Sequence, residues 1–340
     1  MGKRPPTIYT VADHAGVSIA TVSRVDRGDP AVAGSTAMRV RASMRTVGYR
    51  PNGAARALAT RRHRAIGLVF PHLSGPYYAG VILGLEAAAG ALGQNLFIVG
   101  TDSRVRPEQL VSDLSRSVDG LVVMGRTVPD EVIAELQRGG LPLVLLARPA
   151  VGSSDVVRTE NRRNAEALTR HLLEHGHRRI VFIGDPASSP DAAERWDGFV
   201  AAHRDGGGPV PIRPVISAFR EGEGRAAALH ALAVKSRPAA LFCANDEIAM
   251  GAYAAAAELG LTIPTDLAIT GWDDIPVARF LAPGLTTVRQ PLAEIGALAA
   301  RLVLERVGGS HKKPVTTVLP TEIMIRSSCG CRSQGGTWET

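Results

Sequence analysis

Short apolar runs alternate with longer, Ala-rich segments over most of this 340-residue chain. Short runs of this kind, bounded by turn residues, are typical of buried β-strands. Strands are predicted at residues 66–70, 96–99, 120–123, 142–146, 180–184, 239–243 and 267–270. Helices are predicted between them, for example at residues 78–91, 162–175, 191–204 and 247–259. This alternation predicts parallel sheets that are covered by helices on both faces.

The region with this pattern, residues 65–330, is too long for a single core of this type, so we predict two lobes. The chain is expected to cross between them near Glu160, Arg289 and Pro320. Lobe 1 then comprises about 65–160 and 290–319, lobe 2 about 161–289 and 320–330, and 331–340 form a tail. Parallel sheets bind ligands at the carboxyl ends of their strands, which predicts a ligand site between the lobes.

Positive charge is concentrated at the other end of the chain. Residues 1–64 contain twelve Lys and Arg and three acids, a charge of +9, and the remainder of the chain carries −2 of the total of +7. A compact basic unit on a nearly neutral body indicates a polyanionic partner, most simply nucleic acid. A disordered basic tail is the alternative, but the segment has helical periodicity and capping residues.

The basic segment has the pattern of a helix-turn-helix. Thr10, with Asp13 three residues later, predicts the cap of a first helix, which Gly16 ends. Ser18 predicts the cap of a second helix over about 19–27. Five residues share one face of this helix, opposite the apolar Val22 and Val25: Ile19, Ala20, Ser23, Arg24 and Arg27.

This polar face has the side chains that a major-groove reader needs. Arg24 could donate both guanidinium arms to a guanine edge, and Ile19 could contact a thymine methyl group. Ser18 and Thr21 suit phosphates. An ordinary helical hairpin with a solvated arginine face is the alternative. A third helix is predicted over about 36–47, followed by a hinge and linker at 51–64 in which a two-turn helix would be marginal alone.

Residues 7–12, 15–25, 48–52 and 55–58 carry motifs through which the chain resembles the LacI/GalR family of transcriptional regulators. The resemblance implies that hinge helices of two subunits pair over the minor groove, with Leu58 as a wedge between base pairs. It also implies that Asn52 heads the hinge and that Ala55 lies where two hinges meet. The candidate DNA-binding residues are Thr10, Ser18, Ile19, Ala20, Thr21, Ser23, Arg24, Arg27, Tyr49, Asn52, Ala55, Arg56 and Leu58.

The body resembles the periplasmic sugar-binding proteins on which the same family builds its effector domain. The matching runs are residues 74–78, 119–122, 176–180, 244–246, 271–274, 285–291 and 326–330. The resemblance places Arg195, Asn245 and Asp273 at ligand-contacting positions, where a guanidinium, an amide and a carboxylate can each bind two hydroxyls. A structural salt bridge between Arg195 and Asp273 is the alternative. The candidate effector residues are His72, Tyr77, Tyr78, Arg148, Arg195, Asn245, Asp273 and Gln290.

Three departures from the family pattern bear on specificity. Asp26 stands where relatives usually have leucine after the recognition helix, which places a negative charge near the DNA. His72 and Gly75 replace an acid and an asparagine, and Ala147 replaces an aspartate before Arg148. With His72 and Arg148 this side of the cleft is expected to be more basic, so an anionic or phosphorylated sugar is one possible effector.

Several other classes of function are disfavoured by the sequence. There is no catalytic constellation, and Gly222-Glu223-Gly224 lacks the setting of a dinucleotide site. His171 and His175 have helical metal spacing but no third ligand in their motif, so we interpret them as helix-end histidines. Metal or redox use of Cys329 and Cys331 stays open. No cofactor, metal or membrane contact is predicted.

The predicted fold is an all-α helix-turn-helix headpiece with a hinge helix, joined to a two-lobed α/β periplasmic-binding-protein-like domain with parallel sheets. We expect residues 1–50, 51–64 and 65–330 to be the DNA-binding, hinge and effector regions. A homodimer without a tetramerising coiled coil, working in the cytoplasm on double-stranded operator DNA, fits these features. A repressor with a small-molecule effector of the sugar class follows as the predicted function. An activator or a non-sugar effector is the alternative, and a transport protein or an enzyme is disfavoured.

Overall fold

The computed structural model describes residues 6–50, 62–72, 74–102, 104–206, 210–310 and 313–331. The chain divides into two compact units, Met1–His63 and Arg64–Thr340. The first unit contains three helices: α1 (Ile8–Ala15), α2 (Ile19–Asp26) and α3 (Gly34–Val47). Their small core consists of Val11, Ala12, Ala15, Val22, Val25 and Val40.

The start of α1 differs from the prediction. Thr7, and not Thr10, is the N-cap: the Thr7 hydroxyl accepts a hydrogen bond from the Thr10 backbone N–H, and the Thr10 hydroxyl accepts one from that of Thr7. The reciprocal pair adds one turn to the helix, which places Thr10 inside it. Gly16 ends α1 at a φ of 61°, as its position in the sequence predicted.

The prediction for α2 is confirmed in its cap and its faces. The Ser18 hydroxyl accepts a hydrogen bond from the Thr21 backbone N–H. Val22 and Val25 are buried, whereas Ile19 and Arg24 are exposed. The helix ends at Asp26, one residue before the predicted end.

The second unit contains eight helices and eleven strands among the residues that the structure describes. The helices are α4 (Pro76–Ala91), α5 (Pro107–Ser115), α6 (Asp130–Arg138), α7 (Arg162–Glu174), α8 (Pro190–Asp205), α9 (Glu221–Leu232), α10 (Asp246–Glu258) and α11 (Leu292–Gly308). The strands are β1 (Ala65–Phe70), β2 (Asn95–Gly100), β3 (Gly120–Met124), β4 (Leu143–Leu146), β5 (Asp155–Thr159), β6 (Ile180–Ile183), β7 (Ala240–Cys243), β8 (Ala268–Thr270), β9 (Thr287–Arg289), β10 (Thr316–Leu319) and β11 (Glu322–Met324).

Two parallel sheets form the lobes, as the alternating pattern predicted. Lobe 1 contains a six-stranded sheet in the order β10-β5-β4-β3-β1-β2, and lobe 2 contains a three-stranded sheet in the order β6-β7-β8. A two-stranded antiparallel ribbon pairs β9, which precedes the second crossing, with β11, which follows the third. The chain passes between the sheets after Thr159, Arg289 and Leu319. No helix in the described part of the chain is long and apolar enough to span a membrane.

The strands that sequence reasoning missed are short or begin with a charge. β5 begins with the fully buried Asp155, which the apolar-run criterion rejects. Its carboxylate accepts hydrogen bonds from Arg306 at 2.5 and 2.8 Å and from the Val315 backbone N–H at 2.8 Å. Partners some 150 residues away therefore make this buried charge tolerable.

Helices α4 and α11 cross in close contact over two glycines. A Cβ at Gly84 would lie 1.9 Å from the carbonyl oxygen of Ala293, and one at Gly296 would lie 2.0 Å from that of Val81. Only glycine allows the two backbones to approach so closely. Both helices cover the apolar face of the sheet that bears one wall of the cavity described below.

We expect Gly296→Ala to lower the free energy of unfolding by roughly 1–3 kcal/mol, because the added methyl group must push two helix backbones apart. Thermal unfolding followed by circular dichroism measures the change. Gly90→Ala is the matched control, since a Cβ there meets only the end of the Glu86 side chain at 3.8 Å. Equal melting temperatures for Gly296→Ala and the wild type would show that the helices do not cross so closely.

Candidate functional site

A cavity of about 750 Å³ lies between the two lobes of the second unit. Residues that follow β1, β3 and β4 form one wall, and residues that follow β6, β7 and β8 form the other. The cavity is therefore at the carboxyl ends of the strands, where the sequence pattern predicted a ligand site. Its size is within the range of small-molecule sites.

Arg195 is the most firmly held charge in the cavity. Its side chain is 6% exposed. Its Nε donates to Asn161 Oδ1 at 2.8 Å, its Nη1 donates to the Ala244 carbonyl at 2.7 Å, and its guanidinium lies 4.6 Å from the ring centroid of Trp272. Its Nη2 is 3.9 Å from Asp191 Oδ2, beyond hydrogen-bond distance. The guanidinium is thus oriented by the protein while Nη2 remains available to a ligand.

Asp273 lines the same wall and is 4% exposed. Its φ of 119° lies in the region that favours glycine, so its backbone is strained, a feature that often accompanies binding sites. Burial raises the pKa of its carboxyl to about 7, although Arg195 and the hydrogen bond from Gln290 oppose the rise. Burial also raises the pKa of the Asp191 carboxyl on the same wall.

Gln290 does not line the cavity, in contrast to its predicted place among the effector contacts. Its Nε2 donates to Asp273 Oδ1 at 2.6 Å, and its Oε1 accepts a hydrogen bond from the Thr159 hydroxyl at 2.7 Å. Thr159 and Gln290 stand at two of the three chain crossings. Gln290 therefore orients Asp273 and connects it to lobe 1.

Asn245 lines the cavity and also caps α10. Its Oδ1 accepts a hydrogen bond from the Ile248 backbone N–H at 2.9 Å, and its Nδ2 donates to the Phe219 carbonyl at 3.3 Å. Both groups of the amide are therefore already engaged in the absence of a ligand. Asn245 can accept a further hydrogen bond from a ligand, but its first role is to fix the helix start.

The wall formed by lobe 1 is aromatic. His72, Tyr77 and Tyr78 all line the cavity. Tyr78 makes edge contacts with Tyr77 and His72 at centroid distances of 5.4 and 4.8 Å. Burial raises the pKa of both tyrosine hydroxyls, which therefore remain neutral hydrogen-bonding groups at physiological pH. Such a wall offers ring faces together with hydroxyls.

The structure contradicts the prediction for Arg148. Its guanidinium is buried outside the cavity, where it donates to the carbonyls of Gly125 and Val128 and forms an ion pair with Asp130. Ala147 lines the cavity in its place. Arg148 was expected to make this side of the cleft more basic, but Asp130, eighteen residues earlier, neutralises it.

Arginines and acidic residues are equal in number in the cavity lining. Arg220 donates to Asp102 at 2.9 Å, and this ion pair joins the two lobes at the cavity. The charged lining residues are four arginines and four carboxylates, namely Arg104, Arg126, Arg195, Arg220, Asp102, Asp191, Glu247 and Asp273.

Sequence reasoning missed Asn161, which positions Arg195, and Asp191, whose carboxylate lies 3.9 Å from Arg195 Nη2. Asp191 could have been found, because it stands four residues before Arg195 on a predicted helix and so on the same face. Asn161 belongs to the first crossing and had no local signal.

The candidate nucleic-acid face is on α2. Ser18, Ile19, Ala20, Arg24 and Arg27 are exposed, and Thr21 and Ser23 are partly exposed. Arg27 donates to the Ser23 carbonyl at 3.3 Å. Thr10 is exposed on α1, whereas Tyr49 is half-buried against the small core. The other candidates, Asn52, Ala55, Arg56 and Leu58, lie outside the described residues.

We expect the ligand-free protein to lose stability as pH rises from about 4 to about 7 through the buried Asp273 carboxyl. The folded-state pKa lies above the ordinary value of 3.8, so the unfolded chain releases this proton first. Asp273→Asn removes this cost and is expected to stabilise the protein by at least ~1 kcal/mol at about pH 8, and much less at about pH 4.

Melting temperatures at several pH values measure this difference. The exposed Asp197 provides the control, because Asp197→Asn removes a similar charge without relieving burial. If Asp273→Asn instead destabilised the protein most at high pH, the prediction would be wrong. The attraction of Arg195 for the ionised carboxylate would then exceed the cost of burying it.

Two family models match the chain. The model for bacterial regulatory proteins of the lacI family matches residues 7–52, and a periplasmic binding protein-like domain matches residues 169–329. Catabolite control protein A of Priestia megaterium is 32% identical over 327 residues, which cover 95% of this chain and 98% of that protein. The transcriptional repressor PurR of Photorhabdus laumondii is 31% identical, over 95% of this chain and 96% of its own.

Solved structures give the same result. A complex of the transcriptional regulator CelR with cellobiose is 30% identical with a TM-score of 0.73, covering 95% of this chain and 99% of that one. A lac repressor dimer bound to operator and the anti-inducer ONPF is 25% identical with a TM-score of 0.84, covering 96% and 99%. The agreement extends over both units, and the chain therefore belongs to the lacI family of bacterial regulatory proteins.

Proposed function

We propose that this protein is a dimeric transcriptional repressor whose binding to a pseudo-palindromic operator is controlled by a neutral sugar. The observation that carries the proposal is the presence, in one chain, of an exposed arginine-bearing recognition helix and a polar cavity between two lobes. Relatives named as repressors resemble the chain over nearly its whole length. The protein would act in the cytoplasm, where the chromosome lies.

The surface of α2 supports recognition of bases in the major groove. The Arg24 side chain is 58% exposed, and its nearest acidic oxygen, on Asp29, is 4.0 Å away. Its guanidinium can therefore donate two hydrogen bonds to the edge of one guanine base. The hydroxyls of Ser18 and Thr21 lie at the start of the helix, where phosphate contacts are common. In a dimer, two copies of α2 would read two half-sites related by a two-fold axis.

The charge balance of the cavity favours a neutral polyol over an anion. Arg148 is neutralised elsewhere, and the four arginines that line the cavity face as many carboxylates. Arg195 Nη2 and the Asp273 carboxyl can each bind sugar hydroxyls, and Tyr77 and Tyr78 offer ring faces. The complex of CelR with cellobiose shows that a structurally similar regulator binds a sugar.

The effector would act through the lobe arrangement. A sugar that binds Asp273 engages a group that Gln290 connects to Thr159 in lobe 1. The ligand can shift the equilibrium between two lobe arrangements only by its difference in affinity for them. Such a shift would alter the separation of the two hinge segments in the dimer. An inducer disfavours hinge pairing on DNA, whereas a co-repressor favours it.

Footprinting of the purified protein on genomic fragments, including its own upstream region, tests the proposal. We expect a site with two-fold symmetry whose occupancy one member of a panel of neutral and phosphorylated sugars changes. Asp273→Ala should bind the same site but lose the response. Steep salt dependence without a preferred site would refute specific recognition, and a response only to phosphorylated sugars would refute a neutral effector.

We expect Leu58→Ala to weaken operator binding at least tenfold, since a wedge that unstacks base pairs typically offsets a few kcal/mol. Nonspecific binding should keep its affinity and its salt dependence, because these arise from phosphate contacts. Fluorescence anisotropy with operator and with scrambled DNA measures both. Ala57→Gly, beside the wedge, is a control for loss of local helix propensity. Equal operator affinities for Leu58→Ala and the wild type would rule out the wedge.

A further inference from the structure

A cluster of histidine and cysteine side chains lies in lobe 2, away from the cavity. His171 and His175 stand one turn apart at the end of α7, and the chain brings Cys331 to them from the segment that follows β11. Cys331 Sγ lies 3.2 Å from His175 Nε2 and 3.6 Å from His171 Nε2. A ligand atom from each of the three residues lies within 4.8 Å of the other two. Three donors from two distant segments of the chain thus lie close together.

The three nitrogen–sulfur distances of 3.2, 3.3 and 3.6 Å are close to the edges of a tetrahedral metal site. Zinc binds sulfur at about 2.3 Å and imidazole nitrogen at about 2.0–2.1 Å, so neighbouring donor atoms in a tetrahedron lie roughly 3.5 Å apart. Cys329 Sγ lies 3.3 Å from His171 Nε2, which places a second sulfur beside this group. Two nitrogens and two sulfurs are a ligand set that zinc prefers.

We propose that a zinc ion binds between His171, His175 and Cys331. Cys329 is its fourth ligand. A site with four protein ligands and no open position is structural rather than catalytic. The ion would join the end of α7 to the C-terminal segment of lobe 2.

Neighbouring groups hold Cys329 in place. The Thr286 hydroxyl lies 3.2 Å from Cys329 Sγ, and His177 Nε2 lies 3.3 Å from the Cys329 carbonyl oxygen. Gly330 has a φ of 99°, which turns the chain between the two cysteines. Contacts of this kind beyond the ligands orient metal sites in proteins. Cys329 is fully buried, whereas His175 is exposed and Cys331 is partly exposed, so an ion can enter from solvent.

Two other states of the cluster compete with the proposal. The side chains could form hydrogen bonds among themselves without an ion, or Cys329 and Cys331 could form a disulfide. A zinc ion accounts for the convergence of two imidazoles as well as two thiols, which a disulfide leaves unexplained.

Metal titration of the full-length protein tests the site. The protein is prepared without a histidine tag, reduced, treated with EDTA and desalted. Zinc is then titrated in competition with a chromophoric chelator, and cobalt is titrated separately. We expect one equivalent of zinc per chain, a cobalt spectrum with thiolate charge-transfer and tetrahedral bands, and a higher melting temperature with zinc. Absence of stoichiometric zinc binding, or a cobalt spectrum without thiolate bands, would overturn the proposal.

Variants identify the ligands. Cys331→Ser and His175→Ala are expected to lower zinc affinity at least ~tenfold and to abolish the thermal shift. His230→Ala is the matched control, since it removes an exposed helical histidine from α9 in the same lobe. Circular dichroism verifies that each variant is folded. Unchanged zinc affinity in both ligand variants would refute the site. The loss of two free thiols per chain in the metal-free protein would refute it too, because it indicates a disulfide between Cys329 and Cys331. Neither readout involves DNA or a sugar, so the result is independent of the proposed function.

Discussion

Hydrogen-bonded polar groups at the three chain crossings connect the effector lobes, and Thr159 and Gln290 are buried there. A polar group without a partner in such a place costs free energy comparable to a lost hydrogen bond, so each must be paired. Glu160 accepts hydrogen bonds from the backbone N–H groups of Arg163 and Asn164, and the Asn164 amide donates to the Thr321 carbonyl. These bonds connect the first crossing to the third. The hydrogen bonds from Thr159 to Gln290 and from Gln290 to Asp273 connect the first crossing to the second and to the cavity.

These hydrogen bonds connect Asp273 to the segments that join the lobes. Its carboxyl is buried, its backbone is strained, and its partner Gln290 belongs to a segment that joins the lobes. A ligand that binds this carboxyl changes the interactions of a group on which the lobe arrangement depends. In the proposed mechanism, binding and conformational change would therefore share one set of hydrogen bonds.

The two units use arginine in opposite ways. Arg195 in the cavity is held by Asn161, the Ala244 carbonyl and Trp272, so its charge is compensated and its direction is fixed. Arg24 on α2 is exposed and lies in a unit with a large excess of positive charge. A fixed, compensated guanidinium suits an uncharged ligand with many hydroxyls, whereas an exposed one in a positive field suits DNA.

The sequence by itself determined the fold class, the helix-turn-helix and its two faces, and the parallel sheets, because periodicity, capping residues and turn glycines are local signals. It also identified the family, and it named Arg195 and Asp273, which do line the cavity. Arg148 was misplaced and Gln290 was given a direct contact, since the partners of both residues are remote in sequence. The strand that begins with Asp155 was missed because Arg306 compensates its charge from another helix. Only the tertiary structure brought Cys331 to His171 and His175, since no local pattern can show that two segments about 160 residues apart meet in a folded core.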